Sequence, residues 1–480
     1  MRIIDTLRAK SAEEILVRLP DQSIAITTRM LIEKSEEWAR WIHTKGIDEV
    51  TIRMGNCPEF LYVLIGALRN GTKVRILSIL HDEPEDDSII LYDGKNKKIR
   101  CSRGIDVHSI DCSNTSAESF EEYDWDMEEV VVALETSGTS GDRKFIQKNM
   151  KSFFTEQVSN WRKLANKVHL SAFNVSPWYH NTGFSLISLL FADFTYEHIT
   201  INAFNPLQVK KYLKETKPTV WVGTGSMLYR SCVADSTQAT VPHIIISTGE
   251  AIDYEHANLL AHTKGFWVLV NSYGTTETQG ISSCLCVSRK SPIWMRIVTK
   301  LTNIFTDFHF YYAEKLEEYF VGDILKSVWV EIRNADANGI GEVWAKTPSS
   351  MLGTENSYIR TGDLGFKNGR QLYITGRVSS VINRSGEKIL PSDIESVVKQ
   401  IETVNDAVVF GIPSQTHGEG ICLCVEGHVE ENQVREALPK YLWPQEIHCF
   451  DEFPLNASGK KDPRMFVNGK AKRKRSNAKD

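Results

Sequence analysis

Nowhere in these 480 residues does an apolar run approach the roughly 20 residues that a bilayer-spanning helix needs, so no transmembrane segment is expected. A signal-peptide core is lacking as well, because the opening MRIIDTLRAKSAEEILVRL is charged throughout. There is no positive excess. The formal charge is −5, which argues against nucleic acid as the main partner. Nine cysteines, odd in number and scattered, point away from a disulfide framework and toward a reducing compartment, hence the cytoplasm. Cys284/Cys286 and Cys422/Cys424 have C-x-C spacing inside apolar runs. With no nearby histidine partners they read as packing residues on one face of a strand, not as metal ligands. No internal repeat is visible.

What is present is ordinary for a soluble enzyme, with 41% hydrophobic and 24% charged residues. The length corresponds to roughly two to four domains. Short apolar runs (Thr51–Met54, Leu61–Leu68, Val130–Leu134, Thr219–Val222, His243–Ile246, Phe266–Val270) alternate with helical periodicity, as in Met30–His43 and Val209–Thr216. That alternation predicts α/β units with mostly parallel sheets. From about Ser327 the pattern turns strand-rich. From about Ser379 it reads strand, helix (Pro391–Gln400), strands (Ala407–Phe410, Ile421–Val425) and helix (Glu431–Leu438), enough for a small α/β domain. The basic tail GKAKRKRSNAKD reads as a solvated end, with an anionic-surface or nuclear-localisation patch as the alternative.

One stretch raises a chemical question. ALETSGTSGDRKFIQ places Thr136, Ser137, Gly138, Thr139, Ser140 and Gly141 directly after a β-branched run, with Lys144 three residues on. Consecutive backbone N–H groups in such a turn can cradle an anion, and the hydroxyls add donors. The nucleoside-triphosphatase loop is excluded, because there the lysine follows the second glycine directly. Here Asp142 and Arg143 intervene. On this stretch alone, a phosphate site and an ordinary strand-joining turn fit equally well.

Four further stretches decide the matter: NSYGTTETQG (Asn271–Gly280), YIRTGDLGF (Tyr358–Phe366), YITGRVSSVINRSGEKILPSDIE (Tyr373–Glu395) and PLNASGKKDPR (Pro454–Arg464). Together, and in this order, they resemble the adenylate-forming superfamily of acyl-CoA and aryl-CoA ligases, amino-acid adenylation domains and beetle luciferases. The resemblance covers nearly the whole chain. It implies a large multi-subdomain N-terminal domain over residues 1–378, binding ATP and acid, and a small mobile C-terminal domain over 379–480 carrying a catalytic lysine. It also implies ATP and Mg²⁺ as cofactors, a small carboxylic acid as substrate, and CoA or the phosphopantetheine of a separate carrier protein as thiol acceptor.

The residue roles follow from the resemblance, position by position. The loop Thr136–Gly141 with Lys144 would hold the β- and γ-phosphates; Arg143 stands where the family usually has proline. Thr276 would meet the α-phosphate and Glu277 the Mg²⁺, for which a carboxylate is a suitable hard ligand. Asn271, Tyr273, Gly274 and Thr275 would border the adenine, together with Gly249, Glu250 and Ala251. Asp363 is the acceptor expected at the ribose hydroxyls, and Arg377 the donor near ribose and phosphate. Lys460 is the expected catalytic lysine of the first half-reaction, with Lys461 as alternative. Pro463 occupies the family's usual arginine position. Ser379 stands at the hinge where Asp or Lys is usual, Asn383 stands where lysine is common, and Gly386 lies beside the expected pantetheine tunnel.

SPWYHNTGF (Ser176–Phe184) matches the family's substrate gate, with His180 where amino-acid-activating members carry Asp. Without that carboxylate, a substrate ammonium would be buried unpaired at a cost of several kcal/mol, so an amino acid is disfavoured. His180, Asn181, Gly183, Phe184, Gly225, Ser226 and Gly249 are the expected acid-pocket residues. His180 joins Lys460, Thr276 and Glu277 as a catalytic candidate. Aryl and fatty acids both remain open, as do CoA and carrier protein. A non-catalytic homologue is the remaining alternative; the presence of Glu277, Asp363, Arg377 and Lys460 speaks against it. Residues 287–320 are longer than the family's usual connection. Their apolar residues recur at helical spacing from Ile293 to Phe308, with Arg289, Lys290, Arg296 and Lys300 at the start. Such an element either packs on the large domain or docks a carrier protein or a membrane surface.

Overall fold

The computed structural model describes the chain except residues 80–87, 98, 100, 113–119, 138–142, 167–168, 235–241, 243, 251, 253, 264–267, 288–309, 313–315, 318, 349–356, 415, 456–459, 462–464 and 467–480. The expected amphipathic element and the basic tail therefore lie outside the described residues. The chain divides into two compact units. The first holds Met1–Trp329 with Lys346–Ile359, and the second Val330–Ala345 with Arg360–Asp480. The expected boundary after residue 378 falls inside the second unit, at the turn Val378–Ser380.

The first unit contains two sheets. One has the order β6 (Ile105–Asp106), β5 (Ile89–Tyr92), β3 (Glu49–Arg53), β4 (Lys73–Ile76), β7 (Val130–Ser137) and β8 (Arg143–Asn149). It is parallel except for the β7–β8 hairpin. In the other, β1 (Ile15–Leu19), β10 (Tyr196–Thr200), β9 (Leu170–Asn174), β11 (Val220–Gly223), β12 (Ile244–Thr248) and β13 (Val268–Thr275) run parallel. β2 (Ile24–Thr27) and β14 (Gln279–Val287) flank them antiparallel, and β15 (Phe310–Tyr312) and β16 (Phe320–Ile324) pair with β14. The central strands are buried along their lengths, as expected of a parallel sheet covered on both faces.

The run Leu61–Leu68, grouped above with the strand-like segments, lies instead in the helix Pro58–Arg69. Phe60, Leu61, Val63, Leu64, Ile65, Ala67 and Leu68 are all fully buried. A helix buried all round has no polar face to set its period, so hydrophobicity alone cannot tell it from a core strand. The signal for the helix was Pro58 at its first turn.

In the second unit β17 (Trp329–Arg333), β18 (Gly341–Lys346), β19 (Ile359–Asn368) and β20 (Gln371–Arg377) follow one another in one sheet. A further sheet has the order β22 (Glu387–Ile389), β21 (Ile382–Arg384), β24 (Gly418–Gly427) and β23 (Val404–Ser414), with β25 (Glu446–Phe450) paired to β24. Helices Pro391–Val398 and Glu431–Ala437 supply Ile394, Val398 and Val434 to an apolar cluster with Ala407, Val409, Ile421, Leu423 and Val425. The opposite face of this sheet carries Val408, Cys422, Cys424 and Phe450, covered by Phe453 and Phe466.

Candidate active site

Four neighbouring parallel strands of the first unit share common rows near their carboxyl ends. Asn174, Val222, Ile246 and Val270 are successive cross-strand partners; one residue on, so are Gly223, Ser247 and Asn271. The segments leaving these strands are Ser176–His180, Thr224–Ser226, Gly249–Glu250 and, after the longer β13, Thr276–Thr278. All therefore emerge at one carboxyl edge, where open α/β sheets bind ligands. Strand register alone brings these four segments, far apart in sequence, to that edge.

Contacts at that edge are specific. Thr224 caps the helix Gly225–Val233, its hydroxyl accepting from Met227 N–H. Glu250 reaches the same helix start: its two carboxylate oxygens accept from Ser226 N–H and Ser226 Oγ, both at 2.9 Å. A carboxylate at a helix N-terminus is favoured by the helix dipole. Glu250 thus ties the Gly225–Ser226 segment to Gly249, whose φ of +81° suits glycine. Ala251 lies outside the described residues.

Strand β13 runs further than the sequence pattern indicated. Asn271, Tyr273, Gly274 and Thr275 belong to it, and only Thr276–Thr278 turns back into β14. Asn271 is buried. The Thr275 and Thr278 hydroxyls lie 3.0 Å apart, and each also accepts from the other's backbone N–H, at 3.2 and 3.3 Å. Thr347 Oγ1 donates to Thr278 O at 2.7 Å. The turn is thereby fixed by its own hydroxyls. Glu277, half-buried at its tip, has no hydrogen bond or ion pair among the described residues. A carboxylate so placed can take a hard cation such as Mg²⁺.

After β9 the chain passes Ser176–His180 into the short helix Asn181–Ile187. Gly183 packs against this segment so closely that a Cβ would fall 2.2 Å from Pro177 O. Phe184 is fully buried and stacks on Phe153, with ring centroids 5.1 Å apart. Asn181 Oδ1 is buried and has no hydrogen-bond partner among the described residues. An orphaned buried acceptor costs about 1–3 kcal/mol, which a ligand's donor can recover.

A buried chain that gave no sequence signal braces the gate. Asn56 Oδ1 accepts from Trp178 N–H at 2.8 Å, Trp178 Nε1–H donates to His198 Nε2 at 3.0 Å, and His198 Nδ1 lies 3.0 Å from Tyr196 OH. Because Nε2 accepts, the neutral ring carries its proton on Nδ1 and donates to the phenol. Burial pushes His198 down to about 3. Its unfolded value is about 6.5, so its contribution is complete above that pH and falls away toward pH 3 at about 1.4 kcal/mol per unit. We expect His198→Gln to be less destabilised than the parent on going from pH 7 to pH 5.5, as read by urea midpoints. Equal pH slopes for the two proteins would show that His198 does not titrate this way.

The loop that raised the first question joins a β-hairpin. Thr136 pairs with Lys144 and Ser137 with Arg143. Gly138, Thr139, Ser140 and Gly141 lie outside the described residues. At the base of the hairpin, buried Glu135 accepts from Ser78 N–H at 3.0 Å.

In the second unit Asp363 and Arg377 are cross-strand partners on β19 and β20, and Arg377 Nε lies 3.0 Å from Asp363 Oδ1. The carboxylate is buried and the guanidinium half-exposed. Ser379 lies in the turn that follows. Gly386, with φ +91°, sits in the β21–β22 connection with open space where a Cβ would be. Lys460 is partly exposed. Lys461 Nζ is held at 2.7 Å by Asp406, so the alternative lysine is committed to an ion pair. The premise that Cys422 has no histidine nearby does not survive: β25 brings Glu446 and His448 to it, with ligand atoms within 4.8 Å of one another. Those two side chains hydrogen-bond each other at 2.9 Å, and Cys422 remains part of the apolar cluster. Among the described residues no helix is long and apolar enough to cross a membrane.

Residues 6–353 match the AMP-binding enzyme family, and residues 393–460 match the AMP-binding enzyme C-terminal domain. The chain belongs to the AMP-binding enzyme family. This AMP-binding enzyme is 27% identical over 354 residues to 2-succinylbenzoate–CoA ligase of Lactococcus lactis subsp. lactis, covering 70% of each chain. It is 36% identical over 115 residues to 3,4-dihydroxybenzoate–[aryl-carrier protein] ligase of Bacillus anthracis, covering 23% of this chain and 28% of the relative. In fold it resembles o-succinylbenzoate CoA synthetase from Bacillus subtilis, solved with its acyl-adenylate intermediate. The TM-score is 0.73 at 20% identity, over 96% of both chains.

Proposed function

We propose that this AMP-binding enzyme activates an aryl or fatty acid with ATP and passes the acyl group to CoA. It is an AMP-forming acid–thiol ligase. A carboxylate oxygen attacks the α-phosphorus of ATP, the bond to the β-phosphate oxygen breaks, and pyrophosphate leaves. A thiol then attacks the acyl carbon, forming the thioester and releasing AMP. Charge builds on the phosphates in the first step, so positioning and electrostatic stabilisation dominate.

The observation that carries this reading is the edge at which gate, Ser226–Glu250 latch and Thr275–Thr278 turn leave adjacent parallel strands. It joins the family match over residues 6–353 and the CoA ligases among the relatives. In the proposed assignment, Thr136–Gly141 and Lys144 receive the β- and γ-phosphates, Thr276 the α-phosphate, and Glu277 Mg²⁺. Asn271, Tyr273, Gly274, Thr275, Gly249, Glu250 and Ala251 border the adenine; Asp363 and Arg377 serve ribose and phosphate. His180, Asn181, Gly183, Phe184, Gly225 and Ser226 receive the acid. Lys460 stabilises the adenylation transition state, Ser379 is the pivot, and Gly386 borders the thiol path. The domain boundary is placed at 378/379, and the cytoplasm, which supplies ATP and CoA, is the proposed compartment. A carrier protein is the second acceptor, favoured by the 36% match to an aryl-carrier ligase.

The test is ATP–pyrophosphate exchange across a panel of aryl and fatty acids. Exchange with at least one acid is expected; folded protein giving none with any acid would overturn the assignment. Within that panel, Asn181→Leu should cost a ring-hydroxylated acid on the order of 10-fold in kcat/KM, the worth of one buried hydrogen bond. A fatty acid should be little affected. If the parent prefers hydroxybenzoates and the variant's acid profile is unchanged, the amide makes no such contact.

A further inference from the structure

We propose that Asp406 and Lys461 form a positioning device for Lys460. The proposal rests on the ligase reading and goes beyond it, since that reading assigns neither residue a substrate contact. Asp406 lies on β23 and is 8% exposed. Each of its oxygens has its own ammonium: Lys399 Nζ is 3.0 Å from Oδ1, and Lys461 Nζ is 2.7 Å from Oδ2. Burial alone would raise this carboxyl, but Lys461 and Lys399 outweigh it and hold it well below the usual carboxylate range.

The same segment is fastened at two further points. Phe453 N–H donates to Glu426 Oε2 at 2.7 Å, and the Phe453 ring packs edge-on against Phe450 and Phe466. Leu455 then forms an antiparallel bridge with Lys461. The chain leaves the sheet after Phe450, and Leu455 and Lys461 pair with each other beyond it, where Asp406 holds the lysine. Lys460 is the residue next to that held lysine, with its Cα about 3.8 Å away. Fixing Lys461 to a strand of the sheet fixes where the Lys460 backbone starts.

Energetics favour a positioning role over simple stabilisation. Two ammoniums around one carboxylate carry a desolvation cost that their attraction roughly cancels, so apolar residues of similar volume would serve stability as well. The sheet's other face already has its apolar core, from Ile382 and Ile389 to Leu438. What an ion pair adds is direction. It holds one strand-proximal point in one geometry, which an apolar contact does not.

Lys461→Met keeps the length of the stem, removes the ammonium and leaves Asp406 with Lys399. The expected result is a kcat for pyrophosphate exchange lower by about tenfold, the loss for a catalytic group displaced by a fraction of an ångström. KM for ATP and acid, thioester formation from supplied acyl-AMP, and the thermal midpoint should stay near the parent's. Asp406→Asn leaves two partly buried ammoniums without their carboxylate and can fail to fold for that reason alone; in the Lys461→Met background it leaves only one. The double variant should lose no more exchange than Lys461→Met. Parental exchange in folded Lys461→Met, or an equal fall in both half-reactions, would overturn the proposal. Absence of exchange in the parent with every acid would overturn the ligase reading itself, and this proposal with it.

Discussion

Lys460→Ala lowers the rate of pyrophosphate exchange on the order of 10²–10³-fold, while hydrolysis or thiolation of supplied acyl-AMP stays much closer to the parent. That is the expected result if the ammonium acts where negative charge develops in the first transition state, since one preorganised donor at such a point is worth about that much. Negative charge also collects on the departing AMP in the second half-reaction, but in the proposed role the lysine meets the carboxylate and α-phosphate during adenylation only. The structure sharpens the choice of residue: Lys461 is held by Asp406 at 2.7 Å, so it is the neighbour at 460 that is tested. Equal losses in both half-reactions would contradict the role and point to a folding defect or another lysine.

The architecture was legible in the sequence wherever amphipathic helices set off short apolar runs. The parallel strands around Val220 and Ile244 stood out as short apolar runs between amphipathic helices. The helix Pro58–Arg69 did not, because burial on every side erases the period that distinguishes helix from strand. The candidate site was legible as motif segments, yet its connections were not. Ser226 and Glu250 are 24 residues apart and meet only because β11 and β12 are neighbours. His198 looks like any polar residue on a strand; its place between Trp178 and Tyr196 is a property of the packed sheet. Asp406 and Lys461 are separated by 55 positions and carry no spacing signal at all. Sequence order reports chemistry that is local. Long-range pairing decides how that chemistry is held.

The hairpin that presents Thr276 and Glu277 offers a second strong test, with its own control on the facing strand. Gly274 lies on β13 opposite Gly280 on β14. A Cβ on residue 274 would fall 1.8 Å from Gln279 O and 2.7 Å from Gln279 C. These are backbone atoms and cannot rotate aside. The two strands must separate, and the Thr275–Thr278 turn beyond them must move with them. A displacement of about 1 Å in a positioning element costs on the order of 10²-fold, so Gly274→Ala should lose at least that in pyrophosphate exchange. It should also unfold at lower temperature, since a backbone clash is among the mechanisms that destabilise by more than the usual amount. At Gly280 a Cβ would meet only Leu325 Cδ1, at an ordinary 3.6 Å. Gly280→Ala should therefore keep nearly parental exchange and stability, although it alters the same hairpin. If Gly274→Ala retained parental exchange, the turn carrying Thr276 and Glu277 would not be the positioning element for the phosphates. If both variants failed alike, loss of the hairpin as a whole, and not displacement of its turn, would be the cause.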